Sequence, residues 1–245
     1  MTKKSSNTVI IDNDVQQTDE RYAYNIKIKC KNEKQKQFLN ILKNPKNEIC
    51  FGIGSAGSGK SYISLSYALQ MLKNNNKFNK IIIIVPTVEA GNMNLGFLKG
   101  TLEEKIAPYV EADSYTMEKI LTNSGCANAK QVVKNLIKTE QICYELVNFA
   151  RGKTFDNCIM LINEAENYSK EETLLLLTRI GENCKIICTG DEKQMDRKDI
   201  KKSKEKCGMS YAYDKLISFE EVDGITFNDD DIVRNPLITK ILSVY

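Results

Sequence analysis

"EICFGIGSAGSGKSYISLSYALQMLKNNN", residues 48–76, decides the fold. "EICFGIG" reads as a buried strand and "SYISLSYALQMLKNNN" as a helix. Between them "GSAGSGKS", Gly54 to Ser61, satisfies the spacing G-x-x-x-x-G-K-[ST] in the strand-loop-helix context that the spacing requires. Gly54, Gly57 and Gly59 let the backbone curl, so that its N–H groups, those of Ser55, Ala56 and Ser58 included, converge on phosphate oxygens. The new helix aims its positive end at the same place. Lys60 is then expected to contact the β and γ phosphates of a nucleotide, and the Ser61 hydroxyl to coordinate magnesium.

Working outward, "KIIIIVP" (80–86), "DNCIMLI" (156–162) and "KIICTG" (185–190) are further short apolar strands separated by helical stretches. The alternation predicts an α/β domain built on a mostly parallel sheet covered by helices on both faces. Upstream, Phe38, Leu39, Ile41 and Leu42 predict a helix over 33–43 that ends at "KNPKN". "YNIKIKC" (24–30) alternates like a half-exposed strand. Residues 1 to 24 read as a polar tail, so we expect an extension with an edge strand over 1–30 and one domain over 31–245. The run "KNNNKFNK" (73–80) reads as a loop.

At 245 residues the chain is long enough for one sizeable α/β core. Hydrophobic content of 42% and charge of 27% exclude wholesale disorder, and a net charge of +3 says nothing by itself about partners. The eight cysteines include no CxxC pair and the chain has no histidine, which argues against a zinc site. Cys158, Cys184 and Cys188 sit in apolar runs as small core residues, Cys184 and Cys188 being the pair to watch. The N-terminus lacks the apolar stretch of a signal peptide and "IIIIV" is too short to span a bilayer, so the expected setting is a reducing cytoplasm.

The strand "CIMLI" runs into "NEAEN", residues 163–167, which puts carboxylates at a strand end. Glu164 is the natural group to orient or deprotonate an attacking water. Asn163 would hold a magnesium-bound water through its amide oxygen, a neutral contact about half as strong as a charged one. The lost charge is worth ~1–2 kcal/mol, or roughly tenfold in affinity for the metal-nucleotide. Glu166 restores local charge if it points inward.

Motif order then becomes diagnostic: "VPTVEAGNMNLGFLKGTLEEKIAPYV" (85–110), "RGKTF" (151–155), "NEAENYS" (163–169), "LLTRIG" (176–181), "TGDEKQMD" (189–196) and "DIVRNPLITKILSVY" (231–245). Together these resemble the PhoH-like family of phosphate-loop ATPases, related to superfamily-one helicases, with "VEAGNMNLGFLKG" the most distinctive piece. The resemblance implies a RecA-like fold, ATP and Mg2+ as ligands, and a homo-oligomeric ring. By the same resemblance Gln35 recognises adenine, Gln194 senses the γ-phosphate, and Arg234 serves as an arginine finger within or across subunits. Arg151 and Arg179 also match the family. Departures from the family pattern are Asn163 for Asp, Glu166 for Gln, Val85 for Arg and Asn235 for His; four changes near the chemistry point to slow hydrolysis with binding retained.

"RKDIKKSKEK" (197–206) holds six basic and two acidic residues directly after the "GDxxQ" turn, with Tyr211 and Tyr213 following. Such a run is either a solvated loop or a contact to a nucleic-acid backbone. Two readings of the whole chain result. One is an ATPase coupled to single-stranded nucleic acid, RNA first and DNA second. The other is a nucleotide-gated assembly protein that hydrolyses little. A small-molecule kinase would need an acceptor pocket and lid that the sequence does not display.

Overall fold

Six strands pair in the order β3-β2-β4-β5-β1-β6, with every neighbouring pair parallel. They are seen in a computed structural model that describes residues 24–74, 77–86, 102–197, 200 and 206–233. The strands are β1 (Ile49–Gly54), β2 (Lys80–Val85), β3 (Ile142–Leu146), β4 (Cys158–Ile162), β5 (Lys185–Gly190) and β6 (Val222–Phe227). Between and before them run α1 (Glu33–Lys43), α2 (Lys60–Asn74), α3 (Leu102–Asn123), α4 (Ala129–Lys138), α5 (Lys170–Leu177) and α6 (Gly208–Leu216).

Successive residues of a strand face opposite ways, and here each way leads to a core. Ile81, Ile83, Ile159, Leu161 and Ile187 join one buried cluster with residues of α1 to α4. Ile82, Ile84, Met160, Ile162, Ile186 and Cys188 join the other with residues of α5 and α6. Double coverage explains why β2, β4 and β5 are apolar runs without alternation. The edge strands β3, "ICYEL", and β6, "VDGITF", are only partly covered, carry polar residues, and were therefore not legible as strands.

The expected strand at 24–30 is corrected. Tyr24 and Ile26 are buried while Asn25 and Lys27 are exposed, yet the segment pairs with no described strand. Its polar groups go to helices instead: the Tyr24 hydroxyl donates to Leu69 O at 3.2 Å and Gln70 Nε2 donates to Ile26 O at 2.9 Å. Alternation reports a half-buried extended chain, and helix α2 covers this one. The core thus begins upstream of the expected boundary at residue 31. The partner of Cys184 is also corrected. It is Cys158 on the neighbouring strand, with 3.7 Å between sulfurs, and all eight cysteines are free thiols.

Gly54 closes β1 at φ +118°, and a Cβ there would lie 1.9 Å from Phe227 O of β6. Gly125 also has positive φ, +89°, but nothing lies within 4 Å of its missing Cβ. Gly125→Ala is expected to cost about 1 kcal/mol, the backbone term alone. Gly54→Ala is expected to cost ~3 kcal/mol or more, because backbone must move as well. Urea denaturation of the two variants checks the difference; equal losses would mean that β1 does not approach β6 this closely.

Candidate nucleotide site

The loop from Gly54 to Ser61 leaves the carboxyl end of β1 and enters α2. Gly57 and Gly59 have φ of +85° and +88°, a curl that side chains disfavour. The loop is held on three sides. Ser55 N donates to Phe227 O at 3.3 Å and the Ser55 hydroxyl donates to Asp229, which also pairs with Lys193 at 3.3 Å. Val233 N donates to Gly57 O at 3.1 Å. Ala56 N donates to Asp191 Oδ2 at 2.8 Å. Lys60 is buried, its ammonium donating to Gly54 O, to Ser55 O at 2.9 Å and to Ser58 Oγ at 3.3 Å. The charge that would meet a phosphate therefore rests on loop oxygens, while Ser61 is exposed in the first turn of α2.

Gln35 is not a surface residue. It is 2% exposed, its Nε2 donates to Ser58 O at 2.7 Å, and its Oε1 accepts from Lys31 N at 2.7 Å. Asn32 caps α1 by accepting from Gln35 N at 2.8 Å, which sets the side chain against Gly59. A neutral amide fastened to the phosphate loop ties the α1 terminus to it.

The end of β4 lies across β5 from the loop, because β5 stands between β4 and β1 in the sheet. Asn163 Oδ1 accepts from the Thr189 hydroxyl of β5 at 3.0 Å. Glu164 adopts left-handed geometry, φ +49° and ψ +44°, a conformation that costs a non-glycine residue about 1 kcal/mol and turns the chain sharply at the strand end. Its exposed side chain shares a cavity of 280 Å³ with Glu166, Asn167, Gln194 and Asp196. Glu164 and Gln194 thus line one cavity. Gln194 stands in a single 3-10 turn, Glu192–Gln194, whose cap Asp191 accepts from Lys193 N at 3.1 Å.

Glu166 points inward. It is 3% exposed and its Oε2 accepts from Asp191 N at 2.9 Å. Burial pushes its carboxyl up to about 7, against the opposing pull of backbone hydrogen bonds. The side chain of Asp191 then accepts from Ala56 N, so Glu166, Asp191 and Ala56 join the β4 turn to the phosphate loop. Asp113 of α3 is a further carboxyl at this end, pushed up to about 7 by burial and by the charge of Glu164. Asp191, Asp229 and Asp113 were missed. The first stands at the end of an apolar strand, a readable signal, and the second opens an acidic triplet; nothing local singles out Asp113.

Other expected residues are placed elsewhere. Arg179 donates to Lys153 O at 3.3 Å, in the turn that contains Arg151, near the amino-terminal end of β4 where Asn157 N donates to Glu182 O. The phosphate loop leaves the opposite, carboxyl end of its strand. Val85 ends β2 as a buried core residue. Of the basic run, Arg197 pairs with Glu172 and Lys206 with Asp214. Arg234, Asn235, Lys201, Lys202, Lys204 and the segment 88–100 lie outside the described residues.

No helix among the described residues is long and apolar enough to cross a membrane. Comparison with known proteins agrees with this architecture. The family model described as PhoH-like protein matches residues 27–245. A PhoH-like protein of Bacillus subtilis is 33% identical over 219 residues, which cover 89% of this chain and 64% of that protein. A PhoH-like protein of Synechocystis is 30% identical, covering 89% of this chain and 62% of the relative. Protein PhoH of Escherichia coli K12 is 30% identical, covering 89% and 58%. The chain thus spans about six-tenths of the length of these curated relatives. With a parallel sheet, a phosphate loop at the end of β1 and a carboxylate turn at the end of β4, the chain belongs to the PhoH family.

Proposed function

We propose that the chain binds ATP with magnesium at Gly54–Ser61, hydrolyses it slowly, and couples that cycle to single-stranded nucleic acid, RNA in the first place. The observation that carries the reading is the bond from Ala56 to Asp191, which joins the loop to the turns bearing Glu164 and Gln194. To hold the phosphates, the amides of Ser55, Ala56 and Ser58 would have to leave Phe227 O, Asp191 and Ser55 O, the acceptors they meet in this structure. Lys60 would exchange its contacts with Gly54 and Ser55 oxygens for phosphate oxygens. Gln35, fastened to Ser58 beside Gly59, would meet the adenine through the rest of its amide.

The Ser61 hydroxyl is a hard oxygen donor of the kind that suits magnesium, and the Asn163 amide oxygen would hold a water bound to that ion. Bound there, the ion would neutralise charge between the β and γ phosphates. Glu164 would orient the water and take its proton, while the Gln194 amide would hold the same water or the γ oxygens. In the same reading the chain acts in the cytoplasm as a homo-oligomeric ring, with Arg234 reaching a neighbour's nucleotide. Asn163 favours a second reading, an assembly protein gated by ATP with little hydrolysis: its side chain is neutral and its oxygen is engaged by Thr189.

Lys60→Ala is expected to abolish ATP binding, because backbone amides alone do not neutralise the phosphates. Equilibrium dialysis with labelled ATP checks this; unchanged affinity would refute the site. Asn163→Asp is expected to tighten magnesium dependence about tenfold and to raise turnover, and Glu164→Gln to abolish turnover. Phosphate release by the three proteins decides between the readings, and lower turnover in Asn163→Asp would count against this account of the metal shell.

Glu166 has a folded carboxyl value near 7 against an ordinary 4.5. Between those values the folded chain holds a proton that the unfolded chain has lost, so stability falls as pH rises across the window. Glu166→Gln keeps an acceptor for Asp191 N and removes the charge. It is expected to stabilise the protein by about 3 kcal/mol at pH 8 and by well under ~1 kcal/mol at pH 4.5. Denaturation at the two pH values measures this; an equal effect at both would show that Glu166 is not held neutral by burial.

A further inference from the structure

The central strands β4 and β5 are entered through the same three-residue pattern, Asp156-Asn157-Cys158 and Glu182-Asn183-Cys184. Each asparagine takes a left-handed turn, φ +52° at Asn157 and +53° at Asn183, so each cysteine meets its strand from the same direction. The two turns are laced together. Asn157 N donates to Glu182 O at 2.8 Å, Glu182 N to Asp156 Oδ1 at 2.7 Å, and Asn183 Nδ2 to Asn157 Oδ1 at 3.0 Å. The parallel register pairs Ile159 with Lys185, and one residue earlier this puts Cys158 opposite Cys184. Both side chains join the core shared with α5 and α6, where the Cys158 thiol donates to Cys184 Sγ at 3.7 Å. Neighbouring strands run about 4.8 Å apart, within the ~4.4–6.8 Å that a disulfide spans between Cα atoms. The proposed nucleotide chemistry makes no use of this pair.

We propose that Cys158 and Cys184 form a disulfide under a small peroxide and return to thiols under a thiol reductant, a reversible staple across the amino-terminal ends of β4 and β5. The hydrogen bond from Cys158 holds the Cys184 thiol below its ordinary value, against burial and the charges of Asp156 and Glu48. The same bond, together with burial, pushes the Cys158 thiol up, so Cys184 attacks first and Cys158 follows. Cys184 is 4% exposed and directly follows the exposed Glu182 and Asn183, so an oxidant little larger than water reaches it when that turn opens. The Cys184 thiolate attacks one peroxide oxygen and breaks the O–O bond, which gives a sulfenic acid and hydroxide. The Cys158 sulfur then bonds to Cys184, and its proton leaves with the sulfenic hydroxyl as water. The proton that Cys184 lost on ionising joins the first hydroxide, so two thiols and one peroxide become one disulfide and two waters. In a reducing setting such a bond is transient, formed under peroxide and undone by thiols. While it lasts it closes a loop that contains the rest of β4, the carboxylate turn and α5.

Peptide mapping of the full chain after hydrogen peroxide, with free thiols alkylated before a non-reducing digest, tests the staple. Trypsin isolates Cys158 in residues 154–170 and Cys184 in residues 180–185, with no other cysteine in either peptide. A peptide joining the two, lost on dithiothreitol, is expected from the native chain. Cys158→Ser is expected to remove it and to leave Cys184 as a sulfenic acid that dimedone traps, whereas Cys184→Ser is expected to leave Cys158 a thiol. Urea unfolding of the oxidised chain is expected at a midpoint about 1 M above that of the reduced chain, because the closed loop constrains the unfolded state. None of these readouts involves ATP, so a phosphate loop that failed to bind nucleotide would not alter them. Linkage of Cys184 to Cys188, a joined peptide formed only in urea, an unchanged urea midpoint, or oxidation confined to the partly exposed Cys30, Cys126 and Cys143 would each overturn the proposal.

Discussion

The order of strands constrains everything at the end of the sheet that bears the Gly54–Ser61 loop. β5 lies between the strand that delivers the phosphate loop and the strand that delivers the carboxylates, so every link between the two passes over the end of β5. Three consecutive residues there make the crossing. Thr189 donates to Asn163, Gly190 leaves room for the Glu166 carboxylate, whose oxygen would lie 2.4 Å from a Cβ, and Asp191 joins Glu166 to Ala56. A side chain at Gly190 would push Glu166 out of reach of Asp191.

Charge is arranged with equal economy. Glu164, Glu166, Asp113 and Asp191 stand at one end of the sheet, where burial and the neighbouring charge of Glu164 push the Glu166 and Asp113 carboxyls up to about 7. A further carboxylate at position 163 would add to that charge, which gives the neutral Asn163 a physical context: its amide accepts from Thr189 without adding charge. Elsewhere a buried cation is handled by carbonyls. Lys185 donates to Leu42 O and Asn44 O, both at 3.0 Å, and to Asn47 O, which locks the end of α1 to the sheet. α1 in turn carries Gln35 to the phosphate loop.

Much of this was legible in the chain itself, for a reason that differs by element. β1, β2, β4 and β5 were readable because burial on two faces leaves only apolar residues in them, and α1 because its apolar face is periodic and a turn ends it. β3 and β6 were not, since an edge strand with partial cover tolerates Glu145, Asp223 and Gly224. The 24–30 segment reads as a strand without being one, because alternation measures one-sided burial and is blind to whether a strand or a helix provides the cover.

The sequence by itself determined the phosphate loop, the carboxylate turn and the "GDxxQ" turn, because each is a local spacing whose chemistry is carried by consecutive residues. Tertiary structure alone decided that Glu166 faces inward, that Asp191 and Asp229 grip the loop, that Gln35 lies buried against Ser58, and that Tyr211 faces out while Tyr213 faces in. These depend on which strand neighbours which and on the space left between packed elements. Both are set by contacts between residues far apart in the chain, which no local spacing records.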